Sequence, residues 1–402
     1  MTRLRICRLS LTFLFCAVAL IAAPAQSIFF TTLLNFNSAN GAAPYAGLVQ
    51  GRDGNFYGTT PWGGANNNGT VYKITPAGTL TTLYSFCTQP NCTDGASPYA
   101  VLLQATDGNF YGTTLEGGDN NLGTIFKISS SGTFASVYSF SGSDGEAPYA
   151  GLIQATDGYF YGTTSAGGDW NDGTVFRITS NGTLITLHSF DSVDGYYPYA
   201  GLVQASDGNF YGTTGWGGAY GRGTVFKITP AGTLTTLYGF RGDDGIYPYA
   251  GLVQGTDGNF YGTTANGGRS PACPMGCGTV FKITSSGTLT MLHSFTGWSK
   301  EGAKPYAGLV QGRDGNFFGT TVNGGTCGEW EGPGCGTVFK ITPSGTLTTL
   351  HIFYDRDGSG PYAGLVQASD GFFYGTTCFG GAYDLGTVFR IGVARACASC
   401  RP

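Results

Sequence analysis

The chain has 402 residues, of which 41% are hydrophobic, 14% aromatic and 11% charged, with 69 glycines and a net charge of −4. That apolar content excludes a disordered chain in spite of the glycine. Its 20 basic residues form no run outside the extreme N-terminus, so a nucleic-acid partner has no electrostatic footprint.

Arg3, Arg5 and Arg8 precede the apolar run LSLTFLFCAVALIAA, and Ala23-Pro24-Ala25 offers small residues for cleavage. This pattern predicts a secretory signal peptide over residues 1–25, cut before Gln26. No later stretch is apolar enough to span a bilayer, so a secreted, extracellular or periplasmic protein is expected. Phe29–Phe36 (FFTTLLNF) then reads as a lone β-strand.

From Pro44 onward one unit recurs, with Pro-Tyr at residues 44, 98, 148, 198, 248, 305 and 361. In the copy from Pro198, four β-prone runs (GLVQ, NFYGTT, GTVFKIT and LTTLYGF) are separated by turn signals at Asp207-Gly208, Gly217-Gly218 and Pro230-Ala231-Gly232. Four antiparallel strands in each such repeat predict a β-propeller blade. A β-solenoid, the main rival, has shorter coils. The last copy stops after its third strand, GTVFRI (386–391), and the orphan Phe29–Phe36 supplies the fourth. The expectation is an all-β, seven-bladed propeller over residues 26–392, its ring closed by the N-terminal strand, which removes an open edge. A cysteine-containing tail follows at 393–402. Within each copy, DGNFYGTT or its variant should give a turn at Asp-Gly, an aromatic pair packed between blades, and two threonines bonded across strands.

Nine cysteines follow the leader, and six form close pairs in enlarged loops: Cys87 with Cys92, Cys273 with Cys277, and Cys327 with Cys335. Disulfides are expected; the metal reading lacks a histidine or a second pair at zinc-finger spacing. Cys378, Cys397 and Cys400 are left over, so one is free or links two chains of an otherwise monomeric protein. Asp94, Asp144, Asp194, Asp244 and Asp357 each precede a glycine upstream of Pro-Tyr, with Asn40 and Glu301 in the other copies. Calcium favours such carboxylates, but no EF-hand-like run is present, and turn capping is the preferred role. His188, His293 and His351 fill a slot that holds Tyr84, Tyr138, Tyr238 or Leu34 elsewhere, which marks a packing position. The ring of Gln50, Gln104, Gln154, Gln204, Gln254, Gln311 and Gln367 either lines the channel or, preferably, bonds neighbouring blades.

The phrases GTVFKITPAGTL, PYAGLVQ and DGNFYGTT resemble the bacterial choice-of-anchor tandem-repeat proteins, the Gloeo/Verruco repeat family, over residues 28 to 391. The blade pattern is similar, more loosely, to NHL-type propellers. The first resemblance implies an exported protein often held at the cell surface by a C-terminal anchor; this chain ends VARACASCRP, without an apolar sorting helix. The family brings no catalytic residues.

Function is expected where the copies differ. The DGN and PAGT turns should lie on one face, and the loops after YGTT and before PYAGL on the other. All five tryptophans (Trp62, Trp170, Trp216, Trp298 and Trp330) fall in those variable loops, with Tyr196, Tyr197, Tyr220, Tyr247 and Tyr383. Aromatic rings beside acids and amides suit a polysaccharide or other cell-surface ligand: apolar sugar faces stack and hydroxyls find partners. Trp62, Glu116, Trp170, Trp216, Tyr220, Trp330 and Tyr383 are the candidate binding residues; the bland alternative is that these aromatics only cover the blade tops. No Gly-x-Ser-x-Gly elbow, phosphate loop or isolated carboxylate pair is present, and no cofactor or metal is expected. A binding or scaffold propeller is favoured, with a hydrolase or lyase acting at the mouth, around Glu329 and Glu331, or a purely structural surface protein, as alternatives.

Overall fold

The computed structural model describes residues 28–297, 301–325, 327 and 334–393. Within them lie 28 short strands, labelled β1 to β28 in chain order. β1 (Ile28–Asn35) stands apart, and β2 (Val49–Gln50), β3 (Phe56–Thr60), β4 (Thr70–Ile74) and β5 (Leu80–Ser85) form the first complete antiparallel blade. The pattern recurs five times through β25 (Leu347–Ile352). The seventh blade joins β26 (Val366–Gln367), β27 (Phe373–Thr377) and β28 (Thr387–Val393) to β1. Closure therefore occurs as the sequence implied, with the closing strands shifted by a residue or two: Ile28 faces Val393 and Asn35 faces Thr387. The leader, Trp298, the Glu329–Glu331 stretch with Trp330, and the tail with Cys397 and Cys400 lie outside the described residues.

Each part of the recurring phrase has one task. The aspartate of each Asp-Gly turn accepts from a backbone N–H two residues on and, in six blades, from the tyrosine hydroxyl four residues on, as Asp53 does from Asn55 and Tyr57. That tyrosine, or Phe318, packs on the phenylalanine of the next blade, from Tyr57 on Phe110 (3.9 Å) to Tyr374 on Phe56 (4.1 Å). The glycine between has extended backbone; it is required by contact, since a Cβ on Gly112 would meet the Phe126 ring at 2.5 Å. The two threonines divide their bonds. Thr59 Oγ1 donates to the Ala100 carbonyl of the next blade (2.9 Å), whereas Thr60 pairs with Thr70 within its own (2.8 Å).

The buried apolar residues form seven clusters, one at each seam between blades. The glutamines take the preferred role: Gln104 Oε1 accepts from Arg52 N and, at the closing seam, Gln50 Oε1 from Ser369 N, both at 2.8 Å. Disulfides join Cys87 to Cys92, Cys273 to Cys277 and Cys327 to Cys335. Cys378 is a buried free thiol whose pKa is pushed up by burial, so it is not positioned to link chains.

Candidate functional site

The two turns of each blade, DGN and PAGT, fall on one face, and the longer connections on the other, as the strand order requires. On that second face, each incoming loop makes a one-residue antiparallel bridge to the β3–β4 type loop of its own blade, as in Ala42 with Trp62 and Tyr196 with Trp216. The next residue then takes positive φ immediately before the proline: 48° at Ala43, 54° at Ser97, 55° at Tyr197 and 57° at Lys304. This is uncommon for a side chain other than glycine, and it turns the chain inward.

The tyrosine after each proline is delivered to the axis. Tyr45, Tyr99, Tyr149, Tyr199, Tyr249, Tyr306 and Tyr362 line a cavity of about 530 Å³. Their ring centroids follow one another at 5.0 to 5.5 Å, and the circle closes from Tyr362 to Tyr45. Burial, with some contribution from neighbouring phenols, raises their hydroxyl pKa values, to about 12 at Tyr99 and Tyr362. The funnel wall is therefore neutral at physiological pH and can both donate and accept hydrogen bonds.

Above this symmetric ring sits a collar that differs from blade to blade. The residue after the bridge loop's first position is Trp62, Glu116, Ala166, Trp216, Asn266, Asn323 or Phe379. Trp62 is 40% exposed and lies edge-on to Tyr45 (5.8 Å) and Tyr99 (6.3 Å). Trp216, three blades on, packs against Tyr247 (4.1 Å), which stacks on the funnel's Tyr249. Glu116 is exposed, takes a bond from Ser97 Oγ (3.5 Å), and adds to the raised pKa of Tyr99 and Tyr149.

The expected binding residues thus separate into two groups. Trp62, Glu116 and Trp216 belong to the collar. Trp170, Tyr220 and Tyr383, at 69%, 53% and 62% exposure, occupy the tips of the same loops two to three residues beyond the paired glycines. That tip lies over the outermost strand: Asn66, its equivalent in the first blade, donates to the Phe86 carbonyl, and Arg241 covers the Tyr220 ring at 5.5 Å. Trp330 falls outside the described residues. The tyrosine ring itself was missed by sequence reasoning. Its signal was present, an aromatic in all seven copies just ahead of the innermost strand.

The acidic turn residues and the histidine slot belong together. His188 meets Asp194 (2.7 Å), His293 meets Glu301 (2.5 Å) and His351 meets Asp357 (3.2 Å), while Tyr84, Tyr138 and Tyr238 donate to Asp94, Asp144 and Asp244. The same acids cap the turn, as Asp144 does for Ser141 N. The slot is thus a polar clasp as well as a packing position, and capping, the preferred role, holds.

No curated protein matches the chain. Among solved structures, the extracellular domain of a protein described as a hybrid two component system from B. thetaiotaomicron is similar in fold, at 10% identity and a TM-score of 0.55. The match covers 89% of this chain but 39% of that one. A protein from Lactobacillus plantarum matches at 16% identity and a TM-score of 0.52, over 81% and 95% of the respective chains. Both likenesses bear on the fold alone. The family profile of the Gloeobacter/Verrucomicrobia repeat matches residues 23–206 and 198–332, well over half of the sequence, and the chain belongs to that repeat family.

Proposed function

We propose that this propeller is an exported binding module whose variable face receives a polysaccharide or surface glycan at the mouth of the central channel. The observation that carries the reading is the meeting of two unlike layers: a neutral seven-tyrosine funnel, and an asymmetric collar that places Trp62 and Trp216 on either side of it. Aromatic faces with phenolic hydroxyls beside them suit a ligand of apolar C–H faces and hydroxyl edges. Two carboxylates stand on the collar bridges of the described residues, Glu116 opposite Ala96 and Glu146 opposite Ala166 in the next blade. Export accords with the disulfides, which persist in oxidising compartments. Trp170, Tyr220 and Tyr383 would then touch only a chain long enough to run outward over the blade tips.

A glycan array probed with the mature protein tests this, followed by titration of Trp62→Ala and Trp216→Ala against the glycans retained. Each variant should lose about fivefold in affinity, the equivalent of about 1 kcal/mol per stacked ring, with the melting temperature nearly unchanged. An array that retains nothing, together with tryptophan variants that unfold, would make those rings a covering for the blade tops and the protein a scaffold.

A further inference from the structure

Two residues after each funnel tyrosine the chain comes to the axis again. Six of these seven positions are glycine, and the second blade has Val101 instead. The glycines are required by close approach of backbones: a Cβ on Gly47 would lie 3.2 Å from the Gly364 carbonyl oxygen, and one on Gly308 3.0 Å from that of Gly251. Each contact runs from one blade to its predecessor, and the Gly47–Gly364 contact closes the circle, so these residues form the innermost ring of the propeller. Val101 is the one side chain on it. It is 40% exposed, with Cγ1 beside Gly151. The seven tyrosines line the cavity itself, and Val101, two residues along the chain from Tyr99, is the exposed side chain that the ring of glycines holds at the innermost radius.

We propose that Val101 floors the tyrosine funnel, making it a blind socket that takes the terminal one or two units of an uncharged glycan chain end-on. The proposal rests on the glycan reading above and adds to it a direction of entry, a ligand end and a charge. The cavity, at 530 Å³, is within the range of small-molecule sites. Its wall encircles the axis, so a sugar inserted along the axis meets rings on every side, whereas a chain laid across the face meets only the collar. The charge follows from the lining. Seven neutral phenols offer no counter-ion, and an ion entering would lose hydration without a partner; Glu116, Glu146 and Lys304 stand at the collar level and are not part of that wall.

The test is calorimetric titration of neutral cello-, xylo- and chito-oligosaccharides of one to six units, each with free ends or with one end coupled to a bulky group. Uronic-acid oligosaccharides of matched length serve as the charged set. Affinity for the series that binds should level off after about two units, fall at least tenfold when one particular end is blocked, and be at least tenfold weaker for the charged set. Val101→Trp, which fills the floor, should weaken binding at least tenfold at an unchanged melting temperature. Val101→Gly should let affinity continue to rise with chain length. Equal affinity for free and blocked ends in the wild-type protein overturns the socket while leaving glycan binding intact, and needs no variant to fold. If no oligosaccharide binds at all, the underlying glycan reading fails and takes the socket with it.

Discussion

At the scale of single residues, the repeat reveals its rules where one copy breaks them. Six blades pair an acid with a tyrosine or histidine in the outer clasp. The seventh has Leu34 where the aromatic would be, and there the acid is replaced by Asn40, which caps the turn from Asn37 N without a charge left to satisfy. A leucine in the slot hides the clasp from a reader of the sequence, because it suggests packing alone. A second exception is Tyr72, in β4, where the other blades have phenylalanine. Its hydroxyl is fully buried and has no hydrogen-bond partner among the described residues, and burial raises its pKa. An unsatisfied buried hydroxyl costs about 1–3 kcal/mol, so Tyr72→Phe should stabilise the protein by about 1 kcal/mol. Chemical denaturation would show a higher midpoint at unchanged slope; a lower midpoint would mean that a buried water satisfies the hydroxyl.

At the scale of elements, β1 is the strand that leaves its neighbours in sequence and completes a blade at the other end of the chain. It inserts Phe30 between His351 (3.6 Å) and Phe389 (5.4 Å), and it brings Leu33, Leu34 and the following Phe36 to the last seam. Deleting residues 26–37 removes these side chains, worth about 2 kcal/mol each where buried, and bares the edge of β28 to other chains. The truncated protein should aggregate, or melt roughly 10 °C lower, by scanning calorimetry; unchanged melting would show that β1 does not lock the ring. The strands were legible because turn residues punctuate them: Asp-Gly and Pro-x-Gly are fixed by local chemistry, and counting strands at the two ends then gives closure. The funnel was not legible, for an equally local reason. The residue before a proline ordinarily avoids helical backbone and runs extended, yet Ala43, Ser97 and Tyr197 adopt positive φ there. The bridge between the two upper loops and a bond from each of these N–H groups to the neighbouring blade, as from Ala43 to the Leu385 carbonyl and from Tyr197 to that of Asp172, hold that conformation and aim each tyrosine at the axis.

At the scale of the whole molecule, stability is distributed over seven similar seams, so a group present in most blades acts with the weight of its copies. The turn aspartates and their tyrosines are such groups, and they titrate in opposite senses. Partial burial alone would raise the carboxyls of Asp53, Asp107, Asp207 and Asp257, but hydrogen bonds from the asparagine and tyrosine of the same turn outweigh it and hold them below the usual range. A pKa lowered by folding contributes stability that is complete above the unfolded value, about 3.9 for aspartate, and is lost as pH falls through the folded value. The tyrosines go the other way: burial first, then the bond to aspartate, pushes Tyr111 and Tyr161 up to about 12. Their contribution is complete below the unfolded value of about 10 and is lost as pH rises towards the folded one. The melting temperature should therefore hold a plateau from about pH 5 to about pH 9 and drop on both sides. Changing Asp53, Asp107, Asp207 and Asp257 together to asparagine should lower the plateau and flatten the acid drop, because the substituted turns keep an acceptor but have no proton to take up. An acid drop as steep in that variant as in the wild-type protein would assign the low-pH transition to other carboxylates, with Asp94 and Glu301 of the outer clasp, both also held low, the next to change.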